Sequence, residues 1–152
     1  MKSLANPIDK NEIVGRLDAI GPASRRRWGK MTAPEMICHL SDAYRVILGE
    51  RHAESVSNWF SRTLFKWAAL WFPTRWPHGV STVPECDPRL GGTQPAELTR
   101  DITELRQLFE RFAGAARTDE FPQHPIFGKL SKKEWMRWGY LHMDHHLRQF
   151  GA

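Results

Sequence analysis

The residues that could do chemistry in this chain are concentrated near its C-terminal end. Three of the seven histidines, His142, His145 and His146, lie within five residues. On an α-helix, residues four apart lie on one face with their Cβ atoms about 5–6 Å apart. Neutral imidazole is the commonest metal ligand in proteins, and two imidazoles at that separation can hold one ion. His142 and His146 therefore predict a metal site if this segment is helical.

Helical geometry leaves a second pairing open. At 100° per residue, His146 lies about 40° to one side of His142, and His145 lies about 60° to the other. The same face carries Trp135, Trp138 and Gln149. Tryptophan is expected on a core face, whereas buried histidine needs a hydrogen bond or a metal, because a buried unpaired polar group costs ~1–3 kcal/mol. Either His145 or His146 can be the second ligand of this helix.

A metal needs at least a third ligand, and His39 is the best candidate. It lies in the middle of a second predicted helix, one residue before the apolar Leu40, in a segment expected to be core. Asp42 follows three residues later and could orient a ligand, or it could pair with Arg45 on the helix surface. The residues proposed to line a pocket around the metal are Asp42, Arg45, His124, Phe127, Trp138 and Gln149.

Three neutral histidines on Zn²⁺ or Ni²⁺ would leave coordination positions open. An open position can hold water and lower its pKa, or it can hold a substrate thiolate. The pattern therefore predicts a divalent metal and a small-molecule substrate. No carboxylate is clearly placed as a general base, and Cys38 points about 100° away from His39 on the helix. A non-catalytic binding module is therefore the alternative function.

Five helices are predicted to position these residues. Capping-box spacing of Ser, Thr or Asp with Glu three residues later marks three helix starts, at Asp9, Thr32 and Ser131. Apolar residues recur at intervals of three and four in each segment. The predicted helices cover residues 9–20, 32–49, 57–72, 93–117 and 131–150.

The connection at residues 73–95 holds five of the ten prolines and the pair Gly91-Gly92. Long connections of this kind tend to be functional. We find no convincing alternation typical of strands. The expected fold is an all-α, single-domain four-helix bundle over residues 1–152, with a short extra N-terminal helix and a long Pro-rich loop. Such bundles build metal sites from facing helices.

Composition narrows the partners. Lys and Arg exceed Asp and Glu by 22 to 17, and Arg25-Arg26-Arg27 is typical of a solvated surface, so no nucleic-acid partner is predicted.

The apolar run at residues 59–72 is shorter than the ~20 residues of a membrane span. Packing within the fold is its favoured role; a homodimer contact or a membrane surface is the alternative. Two separated cysteines and no apolar leader favour the cytoplasm.

The His39 helix followed by the distant His142-x-x-x-His146 resembles the DinB-like (YfiT-like) superfamily. The resemblance extends through Trp28-Gly29-Lys30-Met31, Thr82-Val83-Pro84-Glu85, His124-Pro125-x-Phe127-Gly128-x-Leu130 and His145-His146-Leu147-Arg148-Gln149-Phe150, and is closest to a branch of unknown function. It implies a four-helix bundle, often dimeric, with a divalent metal on His39, His142 and His146. Better-known relatives act on low-molecular-weight thiols. By analogy the resemblance implies a metal-dependent thiol transferase, isomerase or hydrolase.

Overall fold

The protein is all-helical in the part of the chain that the computed structural model describes, residues 1–73, 75–80, 82–115 and 121–152. Within those ranges there is no strand, and His124 and Gly128 form an isolated β-bridge. The prediction of an all-α chain is confirmed for these residues. The α-helices are α1 (Pro7–Asp18), α2 (Ala33–Ile47), α3 (Lys66–Trp71), α4 (Leu98–Ala115) and α5 (Lys132–Gln149).

The two helices that carry the histidines begin at the predicted capping boxes. At the start of α2, the Thr32 hydroxyl accepts from the Glu35 N–H, and the Glu35 carboxylate accepts from the Thr32 N–H at 2.7 Å. Ser131 and Glu134 make the same reciprocal pair before α5. Because these bonds satisfy N–H groups that a helix leaves unpaired, local sequence alone fixes both starts.

Helix α1 begins two residues earlier than predicted, and Asp9 is not its cap. Asn6 caps it by accepting from the N–H of Ile8 at 2.9 Å, and Pro7 takes the first helical position. Proline suits that position because its φ is already helical and it has no N–H to satisfy. Asp9 instead accepts from the N–H of Ser3 at 2.8 Å, which ties the N-terminal segment to the helix.

Helix α4 begins at Leu98, five residues after the predicted start at Thr93. The Thr93 N–H and hydroxyl donate to the buried Asp42 at 2.6 and 2.7 Å, which holds this segment outside the helix. The Glu97 carboxylate accepts from two N–H groups of the first turn and fixes the start. The predicted end at Arg117 lies outside the described residues.

The aromatic segment forms a π-helix, Ser61–Phe65, followed by α3. Leu70 of this segment is fully buried. The prediction that the segment packs within the fold is nevertheless wrong for most of its large apolar side chains. About half or more of the surface is exposed in Trp59, Phe60, Leu64, Trp67 and Phe72, which together we call the aromatic face. No helix of the described residues is long and apolar enough to cross a membrane.

The helices pack in a way that buries α2 on most of its circumference. α2 packs against α4, while α1 and α3 pack against α5. Every residue from Met36 to Tyr44 is buried, so a polar side chain at the centre of α2 must find its partners inside the protein. His39 lies at that centre, and its ring meets those of His142 and His146 from α5.

Gly139 lies where neighbouring side chains approach the backbone of α5 closely. A Cβ atom there would lie 2.6 Å from the ring of Phe112 in α4 and 2.7 Å from the side chain of Leu4. Alanine at Gly15 in α1, by contrast, would meet nothing within 4 Å. The tight contact explains why a poor helix former occupies the middle of α5.

We expect Gly139→Ala to destabilise the protein by about 1–3 kcal/mol, because the clash outweighs the better helix propensity. Gly15→Ala is the matched control and should stabilise by up to about 1 kcal/mol. Urea unfolding of both variants measures the difference. Equal stabilisation by the two substitutions would contradict the close packing of α5.

Candidate metal centre

Three imidazole rings from two helices converge in the protein interior. His39 Nε2 lies 3.3 Å from His142 Nε2 and 3.1 Å from His146 Nε2. All three residues are buried, and one ligand atom from each lies within 4.8 Å of the other two. The phase of α5 explains the pairing, since residues four apart lie on one face. His39, predicted from its mid-helix position, faces them from α2.

The partners of the outer ring nitrogens fix which nitrogen carries the proton. His39 Nδ1 lies 2.9 Å from the carbonyl oxygen of Cys86, and His146 Nδ1 lies 2.7 Å from Gln149 Oε1. Both oxygens can only accept, so each Nδ1 carries the hydrogen and each Nε2 presents a lone pair. Two lone pairs 3.1 Å apart repel each other, and a cation between the rings relieves that repulsion.

The nitrogen spacing fits a small divalent ion. Three nitrogens that coordinate zinc at about 2.0–2.1 Å in tetrahedral geometry lie roughly 3.3 Å from one another. The observed separations of 3.1 and 3.3 Å are close to that value. Burial lowers the pKa of His39, and it lowers the pKa of His142 and His146 well below the usual value, with the neighbouring imidazoles adding to the effect. The rings are therefore neutral, as metal ligands must be.

The geometry distinguishes His146 from His145, the two candidates for the second ligand on α5. His146 belongs to the converging group, whereas His145 does not. The His145 ring packs edge-on against Trp28 at 4.7 Å and lies 5.8 Å from Trp76. Burial lowers its pKa to about 4. The convergence favours His146 as the second ligand from this helix, and ligation itself stays a prediction.

Two of the histidines on α5 lack a hydrogen-bond partner at Nδ1. The buried Nδ1 atoms of His142 and His145 have no hydrogen-bond partner among the residues that the structure describes. His142 instead has aromatic neighbours, with the Trp138 ring 4.7 Å and the Trp76 ring 6.2 Å from its own. Hydrogen bonds therefore orient the rings of His39 and His146, whereas packing against aromatic rings orients His142.

A cavity of about 770 Å³ opens beside the three rings. Its lining is mainly apolar and aromatic, which is usual for a small-molecule site. Of the predicted pocket residues, four line this cavity: His124, Phe127, Trp138 and Gln149.

Asp42 and Arg45, the other two predicted pocket residues, do not line the cavity. Asp42 is fully buried and accepts from Arg45 at 2.7 Å, from Arg51 at 3.0 Å and from Thr93. A buried carboxylate needs such compensation because an unpaired charge is costly inside a protein. Sequence spacing identified the contact with Arg45 but could not reveal the two distant partners.

His124 occupies the cavity wall in a fixed orientation. The main-chain N–H groups of Ile126 and Phe127 donate to its Nδ1 at 3.1 and 3.2 Å. Its ring stacks on Phe127 at 4.7 Å and meets Trp138 at 5.2 Å. Burial lowers the pKa of His124 to about 3, so the ring is neutral.

Several cavity residues escaped prediction as site residues. Trp28, Trp76, Thr82 and Cys86 all line the cavity. Trp28 stacks on His78, an exposed loop residue, with the two ring centroids 3.8 Å apart. Burial raises the pKa of the Cys38 and Cys86 thiols to about 12, so neither is a thiolate nucleophile. Trp28, Trp76 and Thr82 lie in connections between the helices, and no local sequence pattern reveals that these connections approach α5.

Gly29 shows why a loop residue matters to the centre. Its φ is +86°, and an added Cβ would lie 2.6 Å from the amide nitrogen of Gln149. The glycine thus leaves room for the side chain that accepts from His146. The sequence shows the Trp28-Gly29 pair, but it does not show that Gly29 packs against Gln149, which lies 120 positions later.

A family model described as "Protein of unknown function (DUF1569)" matches residues 13–152. No curated protein and no solved structure matches the chain significantly.

The neutral state of His124 predicts acid sensitivity. Its folded pKa of about 3 lies below an unfolded value of about 6.5, so its contribution is complete above pH 6.5 and is lost as the pH falls below it. Between pH 7 and pH 5 this loss amounts to about 2 kcal/mol. We expect His124→Asn to reduce the pH dependence of urea unfolding by that amount. The exposed His52 is the control, and His52→Asn should change nothing. Identical pH dependence in wild type and His124→Asn would contradict the buried neutral ring.

Proposed function

Since this chain belongs to the DUF1569 family of proteins of unknown function, we propose a function from its own site: it is a metalloprotein that holds one divalent ion on His39, His142 and His146. The single observation that carries this proposal is the convergence of three buried Nε2 atoms, two of them with tautomers that direct lone pairs at each other. We further propose the DinB-like four-helix bundle as its fold and residues 1–152 as a single domain.

Zinc or nickel is the proposed ion. Imidazole ligands suit zinc, nickel, copper and iron, whereas calcium and magnesium prefer oxygen ligands. The converging group contains three histidines and no carboxylate. A three-histidine set also leaves coordination positions open, as in catalytic zinc sites.

The proposed activity is metal-dependent transfer, isomerisation or hydrolysis of a small molecule, with a low-molecular-weight thiol or its conjugate as substrate. A bound ion would supply a Lewis acid that stabilises an anionic oxygen or sulfur. The residues of the chain have separate tasks. Gln149 and the Cys86 carbonyl orient the His146 and His39 rings, and Trp28 and Trp76 supply aromatic walls of the cavity. The resemblance to thiol-using DinB-like proteins supports this substrate class, and we propose the cytoplasm as the location of the protein.

Metal content tests the proposal directly. Protein purified without a histidine tag and loaded with Zn²⁺ should bind about one ion per chain by mass spectrometry of the metal. We expect His39→Ala, His142→Ala and His146→Ala each to lose it, because three ligands are the minimum of a stable site. His145→Ala and the exposed His52→Ala are the matched controls and should keep it. A wild type without metal, or full occupancy in His146→Ala, would refute the site.

A second candidate function is a non-catalytic, dimeric binding module. The aromatic face favours it, since contiguous exposed apolar side chains often mark protein contacts. The two candidate functions differ only in whether the protein converts a substrate at the metal site. Incubation of metal-loaded protein with electrophile and thiol mixtures distinguishes the two, with His39→Ala as the inactive reference.

Light scattering after size exclusion tests the dimer. We expect a dimeric wild type and a monomeric Trp67→Glu variant, because a charge at the centre of a dry contact is costly to bury. Ile8→Glu is the control, since Ile8 is an even more exposed apolar residue, on α1 and outside the aromatic face. A monomeric wild type would dispose of the dimer.

A further inference from the structure

We propose that His124 is a positioning residue of the cavity: it presents a fixed, neutral N–H donor that holds an oxygen acceptor of the bound molecule, a carboxylate or carbonyl group on an apolar body. The inference rests on the proposed function only in requiring that the cavity binds a small molecule. It concerns a residue outside the three-histidine group, and it does not require the metal.

The tautomer of His124 follows from its main-chain contacts. The N–H groups of Ile126 and Phe127 both donate to Nδ1, at 3.1 and 3.2 Å. A ring nitrogen that accepts two hydrogen bonds carries no hydrogen, so a neutral ring carries it on Nε2. Nε2–H is therefore a permanent donor rather than a group that exchanges roles.

The loop around His124 keeps the ring from turning. His124 and Gly128 exchange two main-chain hydrogen bonds of 2.9 Å, and Gly128 adopts a φ of +67° that closes the turn. The ring itself lies between Phe127, at 4.7 Å, and Trp138, at 5.2 Å. Rotation about the side chain would leave two N–H groups of the loop without an acceptor, and it would break both ring contacts.

The donor is left for a ligand. His124 lines the cavity, and no described residue accepts a hydrogen bond from its Nε2. Burial holds the ring neutral, so it attracts an acceptor by a directed hydrogen bond and adds no charge. Trp138 separates this donor from His142, with its ring 4.7 Å from the His142 ring. Trp138 therefore lies between His124 and the three-histidine group and lines the same cavity.

The lining defines the rest of the ligand. Apolar and aromatic side chains, including Trp28 and Trp76, form most of the walls. The charged lining residues are three cations and one acid: Lys30, Arg75, Arg89 and Asp87. Arg89 is paired with Glu35, while Lys30 and Arg75 have no ion pair with a described residue. An apolar molecule with an anionic oxygen fits this balance, and an apolar cation does not.

Two probes of similar size test the proposal on the full chain. Benzoate carries an acceptor group, and benzylamine carries a donor group on the same ring. Calorimetric titration should show that the wild type prefers benzoate. In His124→Asn, the amide oxygen replaces Nδ1 as acceptor for the loop, while the Nε2–H donor is lost. We expect about tenfold weaker benzoate binding in this variant, unchanged benzylamine binding, and an unchanged zinc content.

His52→Asn is the matched control and should bind both probes as the wild type does. A wild type without preference for benzoate, or a His124→Asn variant that binds benzoate as tightly as the wild type, overturns the proposal. Histidine side-chain nitrogen spectra of the wild type provide a readout that needs no variant. They should show the Nε2–H tautomer at His124, and an Nδ1–H tautomer overturns the proposal. Absence of zinc with intact His124-dependent benzoate binding would refute the metal site alone.

Discussion

The contact between His39 and His146 is the constraint around which the centre is built. Two lone pairs face each other across 3.1 Å because a carbonyl and an amide oxygen occupy the outer nitrogens. Burial prevents the protein from relieving this repulsion by protonating a ring, since it lowers the pKa of both. A bound cation would remove this electrostatic repulsion, so metal binding would stabilise the fold.

The cluster around Asp42 connects this contact to the rest of the chain. Asp42 lies one turn after His39 on α2 and anchors Thr93 and Arg51. Those bonds fix the end of the long loop that begins after α3. The same loop forms the short turn Pro84–Cys86, whose last carbonyl accepts from His39. An ion cluster outside the cavity therefore helps to anchor the loop whose Cys86 carbonyl fixes the tautomer of His39.

Local sequence was sufficient wherever the interaction is local. The starts of α2 and α5 follow from capping boxes in which both partners lie within four residues. The phase of α5 follows from helical geometry, and it put His142, His146 and Gln149 on one buried face. The same kind of reasoning failed at Thr93, where a bond to distant Asp42 overrides a plausible helix start. It also failed for the aromatic face, because apolar composition does not say which side chains find a neighbour.

The sequence by itself determined the all-helical class, the capping of α2 and α5, and the identity of the histidines able to meet. Those features depend on bonds and angles between residues close in the chain. Only the tertiary structure decided between His145 and His146 as the neighbour of His39, excluded Asp42 from the cavity, and brought Trp28, Gly29 and Cys86 to the centre. Each of these depends on contacts between segments more than forty residues apart, whose relative placement is set by the packing of the whole core.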